Sequence, residues 1–301
     1  MQKRSHRYQW PTAIPWILVH LMPLLAIFTG VTWQSVVLCL GLFWFRMFFV
    51  TGVHHRYFSH RTYETSRWFQ FVLAFCAQMS IQRGVLWWAA HHRAHHLYSD
   101  TERDLHSPTQ DGFFHSHLGW VFSDSGETDW KRIKDFSKYP ELVWLDKYHL
   151  VPCIVLGVAV VLTFGWSGLL IGYFLSQVLT WHATYTINSL CHVWGKRRFE
   201  TKDTSRNNLW LALLTLGEGW HNNHHHYMNS ARQGFYWWEI DITYYGLRAL
   251  SAMGLIWDLK QPPKRVLDQG RRLDAEKKAK QRRDEAVAQP GLAAARASLE
   301  A

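Results

Sequence analysis

The chain has four cysteines in 301 residues, Cys39, Cys76, Cys153 and Cys191, all in apolar segments and none in a CxxC pair. That scarcity excludes a disulfide framework and iron–sulfur ligation. No glycine-rich dinucleotide loop, haem-attachment motif or internal repeat is present, so the chain brings no nicotinamide, flavin or haem site of a recognisable kind. Charge is missing over long stretches: Pro11 to Phe45 and Leu150 to Gly195 contain no Asp, Glu, Lys or Arg. Segments of that length without a charge are membrane spans rather than core helices of a large soluble protein. The formal net charge of +10 therefore belongs to a chain with spans, and with no nucleic-acid motif beside it a nucleic-acid partner is not expected.

Each uncharged stretch is long enough for two spans at about 20 residues per span. Thr29-Gly-Val-Thr and Gly165-Trp-Ser-Gly supply the breaks that a hairpin needs. The expected fold is all-α and integral to the membrane, with four transmembrane helices at about 13–30, 33–52, 150–166 and 168–190 in two hairpins. Both tips lack Lys and Arg, whereas Lys3, Arg4, Arg7 and the basic middle and tail lie on the other side, which is cytoplasmic by the positive-inside rule. The first span is too long for a signal h-region and is expected to be retained. Residues 1–257 form the membrane-embedded domain and 258–301 a charged helix and tail. Arg46 is expected to snorkel to the interface. The apolar run 67–81 is expected to lie in the interface or under the site, and 97–149 to form a cytoplasmic cap in which Asp100, Asp104, Asp111, Asp124 and Asp129 are scattered. Residues 207–216 read as a short buried helix, 233–257 as interfacial helices, 264–285 as a charged helix and 286–301 as disordered.

What the chain has in plenty is histidine, 19 residues, and nine of these fall in four boxes. His92, His95 and His96 stand at i, i+3 and i+4, which puts three rings on one helical face. His221, His224 and His225 repeat the pattern behind Glu218. His192 closes Asn188-Ser-Leu-Cys-His at the mouth of the last apolar run. His55 and His60 are five apart; on an α-helix they diverge by roughly 140°, which suits a helix end. Nine imidazoles are enough for two metals with four or five ligands each. The near absence of carboxylates from the boxes disfavours magnesium and calcium and leaves iron, zinc, copper and nickel open. His106, His115, His117, His182 and His226 are expected in supporting roles.

The boxes resemble those of the membrane-bound fatty acyl desaturases, specifically the delta-9 type related to stearoyl-CoA desaturase. The resemblance rests on Gly52-Val-His-His55-Arg-Tyr-Phe-Ser-His60-Arg-Thr-Tyr63, His92-Arg-Ala-His95-His96 followed by Tyr98-Ser-Asp100, Asn188 to His192, Gly217-Glu-Gly-Trp-His221-Asn-Asn-His224-His225, and Phe113 to Trp120 after the second box. It covers about residues 11–257. It implies a non-haem diiron enzyme, with two irons on His55, His60, His92, His95, His96, His192, His221, His224 and His225 and with O2 as co-substrate. The matching asparagine in the family, here Asn188, holds a metal-bound water. The product implied is an acyl chain with a new double bond, probed against two other readings: a histidine-box hydroxylase and a non-enzymatic metal-binding membrane protein.

Hydrogens on unactivated methylenes are not acidic, so no side-chain base can remove them and an oxygen-derived oxidant is required. The substrate must lie in a narrow apolar tunnel, for which Trp88, Trp181, Thr184 and Tyr185 are candidate walls. Arg83 is the one charge left in the stretch before the central box, where animal relatives place polar residues that meet the coenzyme. The expected carrier is acyl-CoA, with a membrane phospholipid as the alternative. Oxygen takes four electrons and the substrate gives two, so an external donor is implied: a ferredoxin, rubredoxin, cytochrome or reductase. The charge segregation predicts that cysteines introduced at Thr32 and Ser167 are labelled by an impermeant reagent only from outside the cell. Labelling of a cysteine at Ser107 from outside would overturn that orientation.

Overall fold

The structure is a computed structural model; it describes residues 8–123 and 126–299, with side chains to Glu285. Lys3, Arg4, Arg7 and Asp124, named above, lie outside the described residues. The described chain is mostly helical, with one two-residue antiparallel pair, Glu64–Thr65 against Ile256–Trp257. Two helices are long and apolar enough to cross a membrane, Trp33–Ser59 and Val151–Val193, and Ala13–Thr29 is a shorter apolar helix.

Local chemistry places the breaks where the sequence does. Gly30 has φ 73°, and Thr32 then caps the helix Trp33–Phe49: its hydroxyl accepts from Ser35 N at 3.2 Å while Thr32 N donates to Ser35 Oγ at 3.2 Å. That reciprocal pair satisfies two donors that a helix start leaves orphaned. In the second apolar stretch Gly165 interrupts the helical dihedrals at φ 63°, ψ −161°. The chain reverses there, because the Tyr173 hydroxyl donates back to Cys153 O at 2.9 Å. Ser167 Oγ donates to Gly30 O at 3.1 Å, so the two turns touch.

Two segments depart from α geometry. Val50–Ser59 and Gly168–Leu175 are π-helices, a form with i→i+5 hydrogen bonds that recurs at functional sites. Arg46 does not snorkel: its side chain is fully buried, and it donates to Met79 O at 3.1 Å, Tyr173 O at 2.9 Å and Ser176 Oγ at 2.5 Å. The widened turn of the second π-helix leaves the Tyr173 carbonyl turned toward that guanidinium, which therefore stays inside rather than reaching for the headgroups.

Helix Arg67–Gln78 packs one face under the central box and leaves Trp68 and Val72 exposed on the other. Phe69, Leu73, Ala74 and Ala77 share the main core with Leu86, Ala89 and Ala90 of helix Val85–Tyr98. The start of that box helix is capped from a distance, since Asp146 Oδ1 accepts from Leu86 N at 2.9 Å and Trp87 N at 3.0 Å. At the other end Arg93 donates to Phe58 O at 2.8 Å, Ser59 O at 2.9 Å and Asp135, which pins the box helix to the first π-helix.

Residues 235–241 are turns with Trp237 and Trp238 exposed, and only Ile242–Ala252 of the aromatic region is helical. Helix Leu209–Leu214 buries Leu211 and Ala212 but leaves Trp210 exposed. The last helix runs Lys264–Leu299, so the backbone stays helical through most of the segment expected to be disordered; an Ala-rich stretch is a good helix former and continues the turn begun before it.

A methyl group on Gly84 would overlap the Asp146 carboxylate. Gly84→Ala is expected to unseat this cap and cost about 1–3 kcal/mol, read as a lowered melting temperature of the detergent-solubilised protein. An unchanged melting temperature would show that the cap carries no weight.

Candidate metal centre

The nine box histidines come together. His55, His60, His92, His96 and His224 place ring nitrogens within 4.8 Å of one another, and His95, His192, His221 and His225 do the same in a second group. In the first, Nε2 of His55 and His224 are 3.0 Å apart, His60 and His92 3.0 Å, and His96 lies 2.9 Å from both His92 and His224. In the second, Nε2 of His192 and His221 are 3.1 Å apart.

The central helix serves both groups because i and i+4 lie on one face while i+3 is offset from them: His92 and His96 face one group, His95 the other. Helix His221–His226 divides its rings likewise, His224 to the first and His221 and His225 to the second. The first box corrects the sequence reading. His55 and His60 do not point to different places; their ring centroids are 4.9 Å apart. His55 stands in the π-helix and His60 just past its end, where its N–H bonds to Tyr57 O, and the chain's course there brings the two rings to one place.

Carboxylates stand behind the rings. His55 Nδ1 meets Glu218 at 2.5 Å, His95 Nδ1 meets Asp104 at 3.0 Å, His192 Nδ1 meets Asp100 at 3.2 Å, and His225 Nδ1 meets Asp203 at 2.6 Å. Each fixes a tautomer with the Nδ1 proton outward and the Nε2 lone pair inward. The sequence reading missed Asp100, Asp104 and Asp203 as working residues. Asp100 stood in the quoted motif after the second box, but Asp203, in an unremarkable Asp-Thr-Ser turn, carries no sequence signal. His106 stands 3.8 Å from Asp104 and His117 bonds Ser189 Oγ at 3.0 Å and His182 Nδ1 at 3.1 Å, so both support the site. The two asparagines of the third box are structural: Asn222 Oδ1 accepts from Arg198 N and Phe199 N at 2.8 Å, and Asn223 Nδ2 donates to Glu239 at 2.9 Å.

These residues fit metal ions. His225 Nε2 is buried and has no hydrogen-bond partner, an arrangement costly unless a cation takes the lone pair. Burial, and then the neighbouring imidazoles, hold His60, His92, His96, His221 and His224 well below the ordinary histidine range, and burial takes His225 down to about 4. These six rings are therefore neutral at pH 7, the form that binds a metal, whereas at His95 burial is outweighed by the Asp104 carboxylate, which shifts the ring upward. Burial would raise the Asp203 and Asp104 carboxyls, but the bonds and charge from His225 and His95 outweigh it and hold both below the usual range.

Two cavities adjoin the centre. One, of about 240 Å³, is lined by Gln82, Trp88, His92, His95, Trp120, Thr184 and Asn188 among others. The other, of about 390 Å³, continues from Gln82, Trp88 and Trp120 past Arg83, Trp181, Tyr185 and Trp16 to Pro15, Val19, Leu150 and Ile154. All five wall residues named from sequence, Arg83 included, border this pair. Gln82 bridges its two sides, donating to Thr184 Oγ1 at 2.9 Å and accepting from Trp88 Nε1 at 3.2 Å.

Because the depressed imidazoles must be neutral in the fold but take protons once unfolded, the metal-free protein loses stability as pH falls below about 6.5, by about 1.4 kcal/mol per pH unit for each such ring. The melting temperature of the chelator-treated chain is expected to drop steeply from pH 7.5 to 5.5. A flat profile would contradict the neutral buried state.

Residues 31–258 match the fatty acid desaturase family. The palmitoyl-monogalactosyldiacylglycerol delta-7 desaturase of Arabidopsis thaliana is 37% identical over 254 residues, 81% of this chain and 67% of the relative. The sn-2 palmitoyl-lipid 9-desaturase of Nostoc sp. (strain 36) is 34% identical over 260 residues, 83% and 90% of the two chains. The delta-9 acyl-lipid desaturase 1 of Arabidopsis thaliana is 38% identical over 251 residues, 82% and 81%. With its histidine clusters, its apolar helices and a match over most of its length, this chain belongs to the fatty acid desaturase family and is a membrane-associated oxidoreductase.

Proposed function

We propose that the chain puts a double bond, at the delta-9 position, into a saturated acyl chain that is still esterified to a membrane lipid. The observation that carries the lipid reading is the course of the cavities. From His92 and His95 they run between aromatic walls and end at Leu150 and Ile154, which are 48% and 58% exposed, opposite Pro15 and Val19. That mouth lies between apolar helices whose outer faces, Ile14 and Leu18 included, are exposed, so an acyl tail can enter sideways from the bilayer. The relatives named above are described as acting on lipid-borne chains, and two of the three as 9-desaturases. This replaces acyl-CoA, the carrier expected from sequence, with its stated alternative. Arg83, at φ 64° with its guanidinium 4.9 Å from the Trp87 ring, also borders a second cavity with Lys147 and His149. Together the Arg83 and Lys147 cations suit a polar headgroup at the surface.

The nine histidines hold two irons in this reading, five rings on one and four on the other. Bound iron supplies the activation of O2 and the one-electron steps that unactivated methylenes require. The protein's own part is to bind and orient. The carboxylates keep the Nδ1 protons in place, Trp88 and Trp181 exclude water from the acyl path, and Asn188, which lines the smaller cavity with His92 and His95, would hold a water by its amide. Four spans in two hairpins, with the boxes and termini cytoplasmic, accord with the touching turns at Gly30 and Ser167 and give a ferredoxin, rubredoxin, cytochrome or reductase access to the centre.

The deciding assay supplies the iron-loaded chain and a reduced ferredoxin with saturated phospholipid vesicles in one vessel and stearoyl-CoA or palmitoyl-CoA in another. Unsaturated product is expected from the vesicles, and none from a His96→Ala variant that still reaches the membrane. Product from the thioester alone would reverse the choice of carrier, and full activity in the variant would remove His96 from the ligand set.

A further inference from the structure

The two histidine groups differ in what stands behind them. In the group of five, one Nδ1 meets a carboxylate, His55 on Glu218 at 2.5 Å, and that carboxylate is shared with the Arg56 guanidinium at 3.1 Å. Its negative charge is largely offset. His224 Nδ1 in the same group is buried without a partner.

In the group of four, three Nδ1 atoms meet carboxylates: His95 on Asp104 at 3.0 Å, His192 on Asp100 at 3.2 Å and His225 on Asp203 at 2.6 Å. Asp100 and Asp203 are steadied by neutral donors. Thr204 N and Oγ1 both donate to Asp100 Oδ2 at 2.7 Å, and Ser107 Oγ donates to its Oδ1 at 2.7 Å. Ser205 N donates to Asp203 at 3.0 Å and Thr201 Oγ1 at 2.9 Å. Among the described residues neither has a lysine or arginine in ion-pair range. Hydroxyls and amides orient a carboxylate without cancelling its charge.

A carboxylate on the outer nitrogen makes an imidazole a stronger donor and steadies its ring, and a fixed negative charge one ring away from a cation stabilises that cation through a poorly screening interior. Building on the dimetal reading, we propose that the two positions are unequal: the one formed by His95, His192, His221 and His225 binds metal more tightly and fills first, while the five-histidine position fills second and empties first. Ligand number alone would argue the reverse. The structure sets three carboxylates, two of them with no lysine or arginine in ion-pair range among the described residues, against one that is shared with an arginine.

The test is an anaerobic titration of the full, metal-depleted chain in detergent with Co2+, followed by its visible absorption and by direct metal counting. Two phases are expected, the first at least about tenfold tighter and with the spectrum of a four-nitrogen site. Asp203→Asn is expected to weaken the first phase by about tenfold to hundredfold and leave the second in place; Glu218→Gln is expected to spare the first. One affinity for both equivalents, or equal loss from both phases in Asp203→Asn, would overturn the proposal. Failure to bind any Co2+ would instead refute the dimetal reading, and the inequality with it.

Discussion

Beneath the first histidine box, the Arg56 guanidinium lies fully buried between two carboxylates, Glu218 at 3.1 Å and Asp241 at 2.9 Å. A buried charge of this kind is tolerable only when it is paired on all sides, and the pairing ties together parts of the chain that are far apart in sequence. Glu218 turns back to hold His55. Asp241 caps helix Ile242–Ala252 through Tyr244 N at 3.0 Å and accepts from Gln233 N at 2.7 Å. Arg56 Nη1 also donates to Ala231 O at 2.7 Å. The first and third boxes and the segment that follows thus share one ionic joint, and the metal centre inherits its geometry from that joint.

Around it the molecule uses two kinds of interior. Between the apolar helices, packing is sparse in polar contacts and the outer faces are apolar, as a bilayer requires. At the histidine end the interior is rich in polar groups, most of them paired with one another, while inward ring nitrogens such as His225 Nε2 are left without a protein partner. The cavities run from one to the other, and aromatic rings with a single N–H each, such as Trp181 on Ile81 O at 3.0 Å, suit that boundary because they are apolar over most of their surface.

Much of this was legible from residues alone. Uncharged runs located the apolar helices, glycines located their turns, and i, i+3, i+4 spacing assembled the rings of the second and third boxes. What escaped had physical causes. The gap between His55 and His60 was measured on an α-helix, and nothing in Val50–Ser59 announces a wider turn. Arg46 was assigned by the usual behaviour of a lone cation near the end of an apolar run, whereas its partners, Tyr173 and Ser176, come from the helical segment after Gly165. The carboxylates behind the rings reach across separations that no local pattern encodes, 92 residues for Asp100 and His192.

The π-helical turn also sets a frame. Val50–Ser59 is π-helical and His60 follows directly at its end, so the number of residues in this segment sets where the two rings fall. Losing any one of the four intervening residues would shift His60 relative to His55 and rotate every residue beyond the deletion about the axis. Side chains there can be exchanged within the limits of packing, yet the count cannot. In this stretch the chain is constrained as a ruler is, by its length, before it is constrained by its letters.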